Sequence, residues 1–290
     1  MKIDHSKDSL IGEYGIKILR DRYLNKGEVS PQEAFARAAT AFSDDAAHAQ
    51  RLYDYASNLW FGFATPVLIN GGTNKGLPIS CYLNYVEDSR EGITETYAES
   101  AFLASLGGGI GTSWSDVRSN GTPTSKGSES TGVIPFIKVQ DSLNLAFSQG
   151  KTRRGSSAAY MDMYHPEIEE FLDVRKFTGD MNRRSTNLHH GVVIDDKFMN
   201  IIKNATQIKG YDDSWELVDP HTQEVVKTVR ATTLWKKIIH NRLETGEPYI
   251  IFSDAANEAL AEWQKELGLR IVQSNLCTEI FEVTDENRTA

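Results

Sequence analysis

The stretch QSNLCTEIFEV, residues 273–283, brings together three residue types that can do chemistry. Its apolar and β-branched residues alternate in the way that predicts a β-strand. Because side chains alternate between the two faces of a strand, Asn275, Cys277 and Glu279 are expected to share one face. The sequence therefore predicts an amide, a thiol and a carboxylate in a row.

The residues around this row indicate which chemistry it suits. A thiolate nucleophile usually needs a base such as histidine, and none lies close in sequence to Cys277. A carboxylate on the same face raises the pKa of a thiol, which disfavours ionic nucleophilic chemistry. The pattern favours a thiol that stays protonated until it loses a hydrogen atom, with Glu279 as general base and Asn275 binding a substrate hydroxyl. A polar edge strand without function is the alternative.

The elements that position this row are predicted from periodicity. Residues 1 to about 62 show helical spacing, and Ser30, Pro31 and Glu33 form a helix start. Strands and helices then alternate about five times, which predicts a parallel α/β construction. An open doubly wound sheet and a barrel remain alternatives, since a closed barrel usually needs about eight strands. Predicted strands are 80–86, 112–117, 158–164, 189–195, 248–254 and 273–283, and predicted helices include 89–106, 132–149, 166–176, 196–204, 230–246 and 255–267.

Composition excludes several classes of protein. The chain has 290 residues, of which 40% are hydrophobic and 24% charged, as in ordinary globular proteins. It has no apolar run of about eighteen residues and no apolar signal-peptide segment at its start, so a cytoplasmic location without membrane contact is expected. A net charge of −9 argues against broad binding to nucleic acid. Two cysteines, Cys81 and Cys277, without a CxxC or His/Cys cluster, predict no metal site.

The stretch QSNLCTEI closely resembles the active-site strand of the catalytic (large) subunit of ribonucleotide reductases. In that family the cysteine becomes a transient thiyl radical that abstracts the 3′ hydrogen of a ribonucleotide. The glutamate takes the proton of the 3′-hydroxyl, and the asparagine hydrogen-bonds the ribose. The resemblance implies these roles for Cys277, Glu279 and Asn275.

A second group of motifs resembles the substrate site of that family. The stretches ATPVLINGG and PISC resemble the segment that ends in the first of two reducing cysteines, which implies that role for Cys81. Within them, Thr65 and Ser80 match positions that contact the ribose and phosphate of the substrate. The stretch LGGGIG resembles the glycine-rich turn beside the substrate and implies a substrate contact for Gly109.

A third group resembles the effector site, which takes a deoxynucleoside triphosphate or ATP. The stretch VEDSREGI resembles its beginning, where a carboxylate, here Asp88, holds a ribose hydroxyl. Arg118 matches the arginine that binds effector phosphate. The stretch SQGKTRRGSS resembles the loop that carries the identity of the effector to the substrate base. The implied effector-binding residues are Asp88, Ser89, Arg90, Arg118, Gln149 and Arg153.

The resemblance covers roughly residues 10–290 and implies a fold. It predicts an N-terminal helical segment, residues 1–62, followed over residues 63–290 by half of a ten-stranded α/β barrel, with about five parallel strands. The helical ATP-binding domain of many members is not recognisable, so an on–off switch through it is not expected. The second reducing cysteine, the finger loop, the radical-transfer tyrosines and the rest of the barrel are expected beyond residue 290. The chain is therefore interpreted as the N-terminal part of a split or truncated subunit.

The resemblance also implies an activity and partners. Assembled with the C-terminal half, the chain is expected to reduce ribonucleotides to deoxyribonucleotides for DNA synthesis. No cofactor is expected in this chain; the radical comes from a metal-containing small subunit, or from adenosylcobalamin in another class of the family. Thioredoxin or glutaredoxin is the implied reductant, and the assembled subunits are expected to dimerise. The alternative is a catalytically silent nucleotide-binding regulatory module that keeps only the effector loops.

Overall fold

The computed structural model describes residues 1–147 and 155–290, which form two compact units, Met1–Ser80 and Cys81–Ala290. Among these residues no helix is long and apolar enough to cross a membrane. The first unit is helical and extends past the residue 62 expected from the sequence. After a 3₁₀ helix at His5–Leu10, its helices are α1 (Glu13–Arg22), α2 (Pro31–Ala41), α3 (Ala46–Ser57) and α4 (Thr65–Asn70).

The start of α2 follows from its local sequence. The Ser30 hydroxyl accepts a hydrogen bond from the N–H of Gln32 at 3.1 Å, and the Glu33 carboxylate accepts the N–H of Ser30 at 3.4 Å. Pro31 occupies the first turn, where a missing N–H costs nothing. The predicted helix start is therefore confirmed. The core that α2 forms with α3 and α4 includes Ala34, Phe35, Ala38, Ala39, Tyr53, Ala56 and Leu68.

The second unit alternates strands and helices. Its strands are β1 (Cys81–Tyr85), β2 (Gly109–Ser113), β3 (Ser156–Asp162), β4 (His189–Ile194), β5 (Ser214–Val218), β6 (Val225–Arg230) and β7 (Tyr249–Phe252). Its helices are α5 (Arg90–Ser105), α6 (Ile134–Ala146), α7 (Ile168–Phe171), α8 (Asp196–Gln207), α9 (Ala231–Thr245), α10 (Ser253–Glu258) and α11 (Glu262–Glu266), with a 3₁₀ turn at Met181–Arg183.

Five strands form one parallel sheet in the order β1–β2–β3–β4–β7. This order follows the chain, so every crossover proceeds in the same direction, and right-handed crossovers then place the helices on one face. A doubly wound sheet reverses its strand order, so that alternative is excluded. The predicted fold class, a helical segment followed by about five parallel strands, is confirmed.

Four segments differ from the predicted elements. The strand predicted over residues 112–117 is wrong in position, because β2 covers Gly109–Ser113 and shares only Thr112 and Ser113 with it. Residues 214–230 form an antiparallel hairpin of β5 and β6, where no strand was predicted. The helix predicted over residues 166–176 is wrong in extent, because beyond α7 the backbone hydrogen bonds become mainly i→i−3 turns. The helix predicted over residues 255–267 is interrupted after α10. There the Asn257 side chain pairs with the backbone N–H and C=O of Ile271 at 2.9 and 3.0 Å.

Helices cover the outer face of the parallel sheet. The indole Nε1 of Trp114 donates to Gln140 Oε1 at 3.0 Å, and Gln140 Nε2 donates to Thr112 Oγ1 at 2.7 Å. All three side chains are buried, so their polar groups have partners within this core. The apolar part of the same core includes Ile134, Ile137, Ala159, Met161, Val192, Ile194, Phe198, Ile202, Leu234 and Ile238.

The opposite face of the parallel sheet, called the inner face below, carries the strand residues that alternate with those of the helix-covered core. Parallel pairing places Cys81 beside Gly109 at the start of their strands, and Gly111 beside Ala158 further along. Small residues leave space over β2, and the segment of residues 271–280 crosses that space. This segment contacts β1 first near Asn84 and then at Cys81, so it runs opposite to the strands.

Candidate active site

The segment that carries the predicted catalytic row forms a tight turn. The prediction that residues 273–283 form a strand is wrong: these residues are in no strand, and residues 276–278 form a turn. Oδ1 of Asn275 accepts the backbone N–H groups of Glu279 and Ile280, both at 3.1 Å. An asparagine side chain that binds nearby backbone groups replaces the ladder of a strand. Asn275, Cys277 and Glu279 therefore do not lie in a row on one strand face.

Tyr160 of β3 fixes this turn through its hydroxyl group. Its hydroxyl donates to the carbonyl of Asn275 at 2.6 Å and lies 3.0 Å from the hydroxyl of Thr278, from which it can accept. Burial raises the pKa of Tyr160, so the hydroxyl stays protonated and can donate. Thr278 has a φ of +66°, which a β-branched residue rarely adopts, and these bonds help to fix it. Leu276 packs against the inner-face cluster of Ala158, Tyr160, Val193 and Ile251.

Gly111 lets the turn approach the sheet. A Cβ atom at this position would lie 1.8 Å from the carbonyl oxygen of Ser274 and 2.9 Å from the Cα of Asn275. Both atoms are backbone, so no rotamer change could relieve the clash. Next to this crossing, Gln273 Nε2 donates to the carbonyl of Asn84 at 3.0 Å and to Thr284 Oγ1 at 2.6 Å.

The turn places a carboxylate beside a thiol from the other end of the unit. Sγ of Cys81 lies 3.9 Å from Oε1 of Glu279, although the two residues are 198 positions apart in sequence. Cys277 lies in the same turn with its side chain exposed, and Glu279 is also exposed. Gly109 pairs with Cys81 and is buried. Two thiols and one carboxylate thus occur on the inner face, at the start of β1 and in the turn.

Asn275 is placed differently from the other two members of the predicted row. Its side chain is fully buried, and its carbonyl oxygen caps the turn. Its Nδ2 has no hydrogen-bond partner within residues 1–147 and 155–290. A buried amide donor without a partner is costly, so this group is available to an acceptor that enters the site.

An ionic cluster borders the inner face at the start of β4. Glu247 interacts with Arg175 and with the Nδ1 atoms of His189 and His190, the latter at 3.1 Å. Burial alone would raise the pKa of Glu247, but the hydrogen bonds from both histidines outweigh it and hold that pKa well below its usual range. The His189 ring stacks on Tyr249 of the inner face, with centroids 6.0 Å apart. Sequence reasoning assigned the two histidines no role.

The other predicted substrate residues belong to the helical unit. Thr65 begins α4, and its hydroxyl lies 3.1 Å from that of Tyr23. Ser80 is half-buried and is the last residue of that unit, directly before Cys81. Across the described ranges, no group of three or more His, Cys, Asp or Glu side chains is arranged to hold a metal ion.

A second site lies between α5 and the loop of residues 118–131. It is a cavity of about 520 Å³. Four of the predicted effector residues line it, so the structure brings them together. Gln149 and Arg153, the other two, lie outside the described residues. The lining comprises Asp88, Ser89, Arg90, Glu91, Ile93, Val117, Arg118, Thr124, Ser125, Lys126, Ser128, Glu129, Ser130, Thr131 and Phe136.

Two groups with separately predicted roles are paired with each other in this cavity. Nε of Arg118 donates to both oxygens of the Asp88 carboxylate at 3.0 and 2.9 Å, and its backbone N–H donates to Oδ1 at 3.1 Å. Arg118 also donates from Nη1 to the carbonyl of Pro123 at 3.2 Å. A ligand that takes either group must share or replace this pair. Asp88 and Arg118 are 30 positions apart in the sequence, and no sequence pattern indicated that they pair.

A buried carboxylate braces the far side of the same loop. Oε2 of Glu167 accepts the backbone N–H of Asn120 at 3.2 Å and that of Val133 at 2.8 Å. Burial raises the pKa of Glu167 in spite of these bonds. A Cβ at Gly132 would collide with this carboxylate, so the glycine is needed where the loop enters α6.

The two parts of the chain match two descriptions of known protein families. Residues 79–290 match the family described as "Ribonucleotide reductase, barrel domain", and residues 9–76 match "Ribonucleotide reductase, all-alpha domain". A protein named "Ribonucleoside-diphosphate reductase large subunit" from Invertebrate iridescent virus 6 is 45% identical over 275 residues. The match covers 95% of this chain and 28% of that protein. The protein of the same name from Invertebrate iridescent virus 3 is 41% identical over 336 residues. That match covers 99% of this chain and 52% of the viral protein.

A solved structure resembles the whole chain. It is the "Actinobacillus ureae class Id ribonucleotide reductase alpha subunit", which superimposes with a TM-score of 0.78 at 26% identity. The superposition covers 100% of this chain and 49% of that subunit. The chain therefore spans about half, or less, of the length of these three similar proteins.

Proposed function

This chain belongs to the ribonucleotide reductase family, by the match over its barrel domain, and we propose that it is the N-terminal portion of a catalytic subunit that reduces ribonucleoside diphosphates. The observation that carries the proposal is the approach of Cys81 to Glu279 across the inner face, in the turn that also presents Cys277. The viral proteins named ribonucleoside-diphosphate reductase large subunits support the choice of a diphosphate substrate.

The proposed chemistry assigns a role to each group. The Cys277 thiyl radical takes the 3′ hydrogen atom of the ribose, and Glu279 accepts the proton of the 3′-hydroxyl. The 2′-hydroxyl then leaves as water. Cys81 and a second thiol from outside this chain supply two electrons and two protons and form a disulfide; one proton leaves in the water and the other goes to C2′. Cys277 then returns the hydrogen atom to C3′, which regenerates the thiyl radical, and Glu279 returns the proton to the 3′-hydroxyl. The exposure of Cys277 and Glu279 supports this assignment because both groups must reach the sugar.

Four further residues are assigned to substrate binding in this proposal. The buried Nδ2 of Asn275 donates to a ribose hydroxyl and so acquires the acceptor that it lacks in the described chain. Gly109 pairs with Cys81 at the start of β2, and the proposal therefore places it next to the sugar. For Thr65 and Ser80, a role in binding the ribose and phosphate of the substrate is supported by the resemblance of their motifs.

The cavity of about 520 Å³ is the proposed effector site for a deoxynucleoside triphosphate or ATP. Asp88, flanked by Ser89 and Arg90, takes a ribose hydroxyl, and Arg118 takes phosphate oxygens. A guanidinium with several donors suits phosphate, and it exchanges one anionic partner for another when the nucleotide binds. Gln149 and Arg153 carry the identity of the effector to the substrate base.

Replacement of Arg118 by alanine is expected to weaken nucleotide binding by about 10- to 100-fold, because a charge-assisted contact to phosphate is lost and Asp88 is left unneutralised. Dissociation constants for dTTP, dGTP and ATP measure the effect, and substrate competition measures the loss of effector response. Arg230→Ala is the matched control, since Arg230 is an exposed arginine that pairs with Asp213 outside the cavity. An effector response equal to that of the unmodified chain would remove Arg118 from the site.

The proposed partners follow from family membership. A radical-generating small subunit that contains a metal, or adenosylcobalamin, starts the radical, and thioredoxin or glutaredoxin restores the thiols. Two assembled catalytic subunits form the dimer. At the outer edge of β1, the N–H of Leu83 donates to the carbonyl of Ala290 at 2.7 Å, and the reverse bond is 3.1 Å. This reciprocal pair is antiparallel.

Purified alone, the chain is expected to show no multiple-turnover ribonucleotide reduction. Mixed with the unmatched remainder of the Invertebrate iridescent virus 3 protein and a radical source, it is expected to form a stoichiometric complex and to reduce ribonucleotides. Burial of apolar surface at about 25 cal/mol per Å² drives this association. Full activity of the chain alone would contradict the proposal. A stable complex that binds nucleotides but never reduces them would favour the silent regulatory module.

A further inference from the structure

The tip of the β5–β6 hairpin is joined to the loop of residues 118–131 by one carboxylate. Asp219, directly after β5, is only 1% exposed. Its Oδ2 accepts three hydrogen bonds from the loop: the N–H of Ser119 at 2.8 Å, the hydroxyl of Ser119 at 2.7 Å and the hydroxyl of Thr122 at 2.7 Å. These contacts join segments about 100 residues apart in sequence.

The other oxygen of the same carboxylate shapes the hairpin turn. Oδ1 of Asp219 accepts the N–H groups of His221 at 3.0 Å and Thr222 at 2.8 Å. Burial alone would raise the pKa of Asp219, but the hydrogen bonds from Ser119, Thr222 and Thr122 outweigh it and hold that pKa well below its usual range. The group is therefore an anion that fixes the turn and the loop together.

A second contact connects the hairpin tip to the cavity itself. Nδ1 of His221 lies 3.1 Å from Oδ2 of Asp88, the carboxylate that also holds Arg118. His221 is half exposed, so it reaches Asp88 from the solvent side. The hairpin thus contacts both the loop and the acidic group of the proposed nucleotide site.

The base of the hairpin is anchored elsewhere. Asp213, before β5, is buried and accepts hydrogen bonds from Nε of Arg230 at 2.8 Å and from the N–H of Thr232 at 3.2 Å. These bonds join the base to the start of α9. The two ends of the hairpin therefore carry one buried aspartate each, and only the tip faces the cavity loop.

We propose that the hairpin tip is part of the regulatory nucleotide site: Asp219 is a positioning residue that sets the shape of the 118–131 loop, and His221 orients Asp88 for the ribose. The inference rests on the proposed effector function of the cavity. It extends that site to residues 219–222, which no recognised motif includes.

Asp219→Asn keeps the size of the side chain but removes the charge and turns one acceptor into a donor that faces donors. In the 290-residue chain it is expected to raise amide hydrogen exchange of residues 118–124 and to weaken binding of dTTP, dGTP and ATP by about tenfold, since charge-assisted bonds are lost. Asp213→Asn is the matched control. It is expected to loosen the start of α9, to lower the melting temperature similarly and to leave the dissociation constants within about twofold.

The possible outcomes distinguish the positioning role of Asp219 from the effector function of the cavity. Unchanged exchange in residues 118–124 of Asp219→Asn would overturn the positioning role, whether or not nucleotide binds. Faster exchange with unchanged affinity would also overturn it, as would an equal loss of affinity in Asp213→Asn. If the unmodified chain binds none of the three nucleotides, the effector function of the cavity fails, and the exchange measurement still decides whether Asp219 orders the loop.

Discussion

Cys277→Ser is expected to abolish ribonucleotide reduction in the assembled enzyme, with a loss of at least about 1000-fold in turnover, equivalent to about 4 kcal/mol in the barrier. The O–H bond of serine is too strong to give up its hydrogen atom as a thiol does. Because Cys277 is exposed in the turn, the melting temperature and nucleotide affinities are expected to stay close to those of the unmodified protein.

Cys277→Ala sharpens the comparison. If the thiol acts only through its hydrogen atom, serine and alanine are expected to be equally inactive. If serine retained clearly more activity than alanine, a hydroxyl could replace the thiol, and Cys277 would act in polar chemistry. More than a trace of turnover in Cys277→Ser would remove the radical role.

The second large effect is expected from Gly111→Ala. The added Cβ would meet the carbonyl oxygen of Ser274 at 1.8 Å, so the turn must move away from the sheet. Overpacking of this kind costs about 1–3 kcal/mol. Displacement of the reacting groups by about 1 Å is expected to lower turnover by about 100-fold. The helix-covered core on the opposite face does not contact this atom, so the chain is expected to fold.

Turnover of the assembled enzyme and thermal unfolding of the chain measure these two effects. Gly12→Ala is the matched control, because a Cβ at Gly12 meets nothing within 4 Å and its φ is −62°. Turnover of Gly111→Ala above half that of the unmodified enzyme would show that the turn does not need its close approach to β2.

The fold could be predicted because its signals are local. Short apolar, β-branched and aromatic runs marked four of the five parallel strands, and the capping pattern of Ser30 and Glu33 marked α2. The strand predicted over residues 112–117 shares only Thr112 and Ser113 with β2. The same kind of signal existed for the β5–β6 hairpin, where Trp215 and Leu217 are buried and Glu216 is exposed, yet no strand was predicted there. Glycines at alternate positions 109 and 111 also marked a close backbone approach that could have been inferred.

The geometry of the site depends on partners that are distant in sequence. The segment 273–283 has the composition of a strand, but Asn275 caps a turn, and Tyr160, 115 positions earlier, holds it. The sequence of these eleven residues does not indicate the contact with Tyr160. For the same reason the Asp88–Arg118 pair and the Asp219 contacts could not be predicted, although Asp88 and Arg118 were each assigned to the effector site from their motifs.

The path of residues 271–280 across the inner face has a consequence for folding. Its contacts with Asn84, Cys81 and Tyr160 close loops of 189, 198 and 115 residues. The parallel strands pair with closer neighbours in the chain, so their loops cost less entropy to close. Contacts of such high sequence separation form late. We therefore expect the sheet to assemble before Cys277 is in place, and the turn, which is held by few bonds, to open while the sheet stays folded.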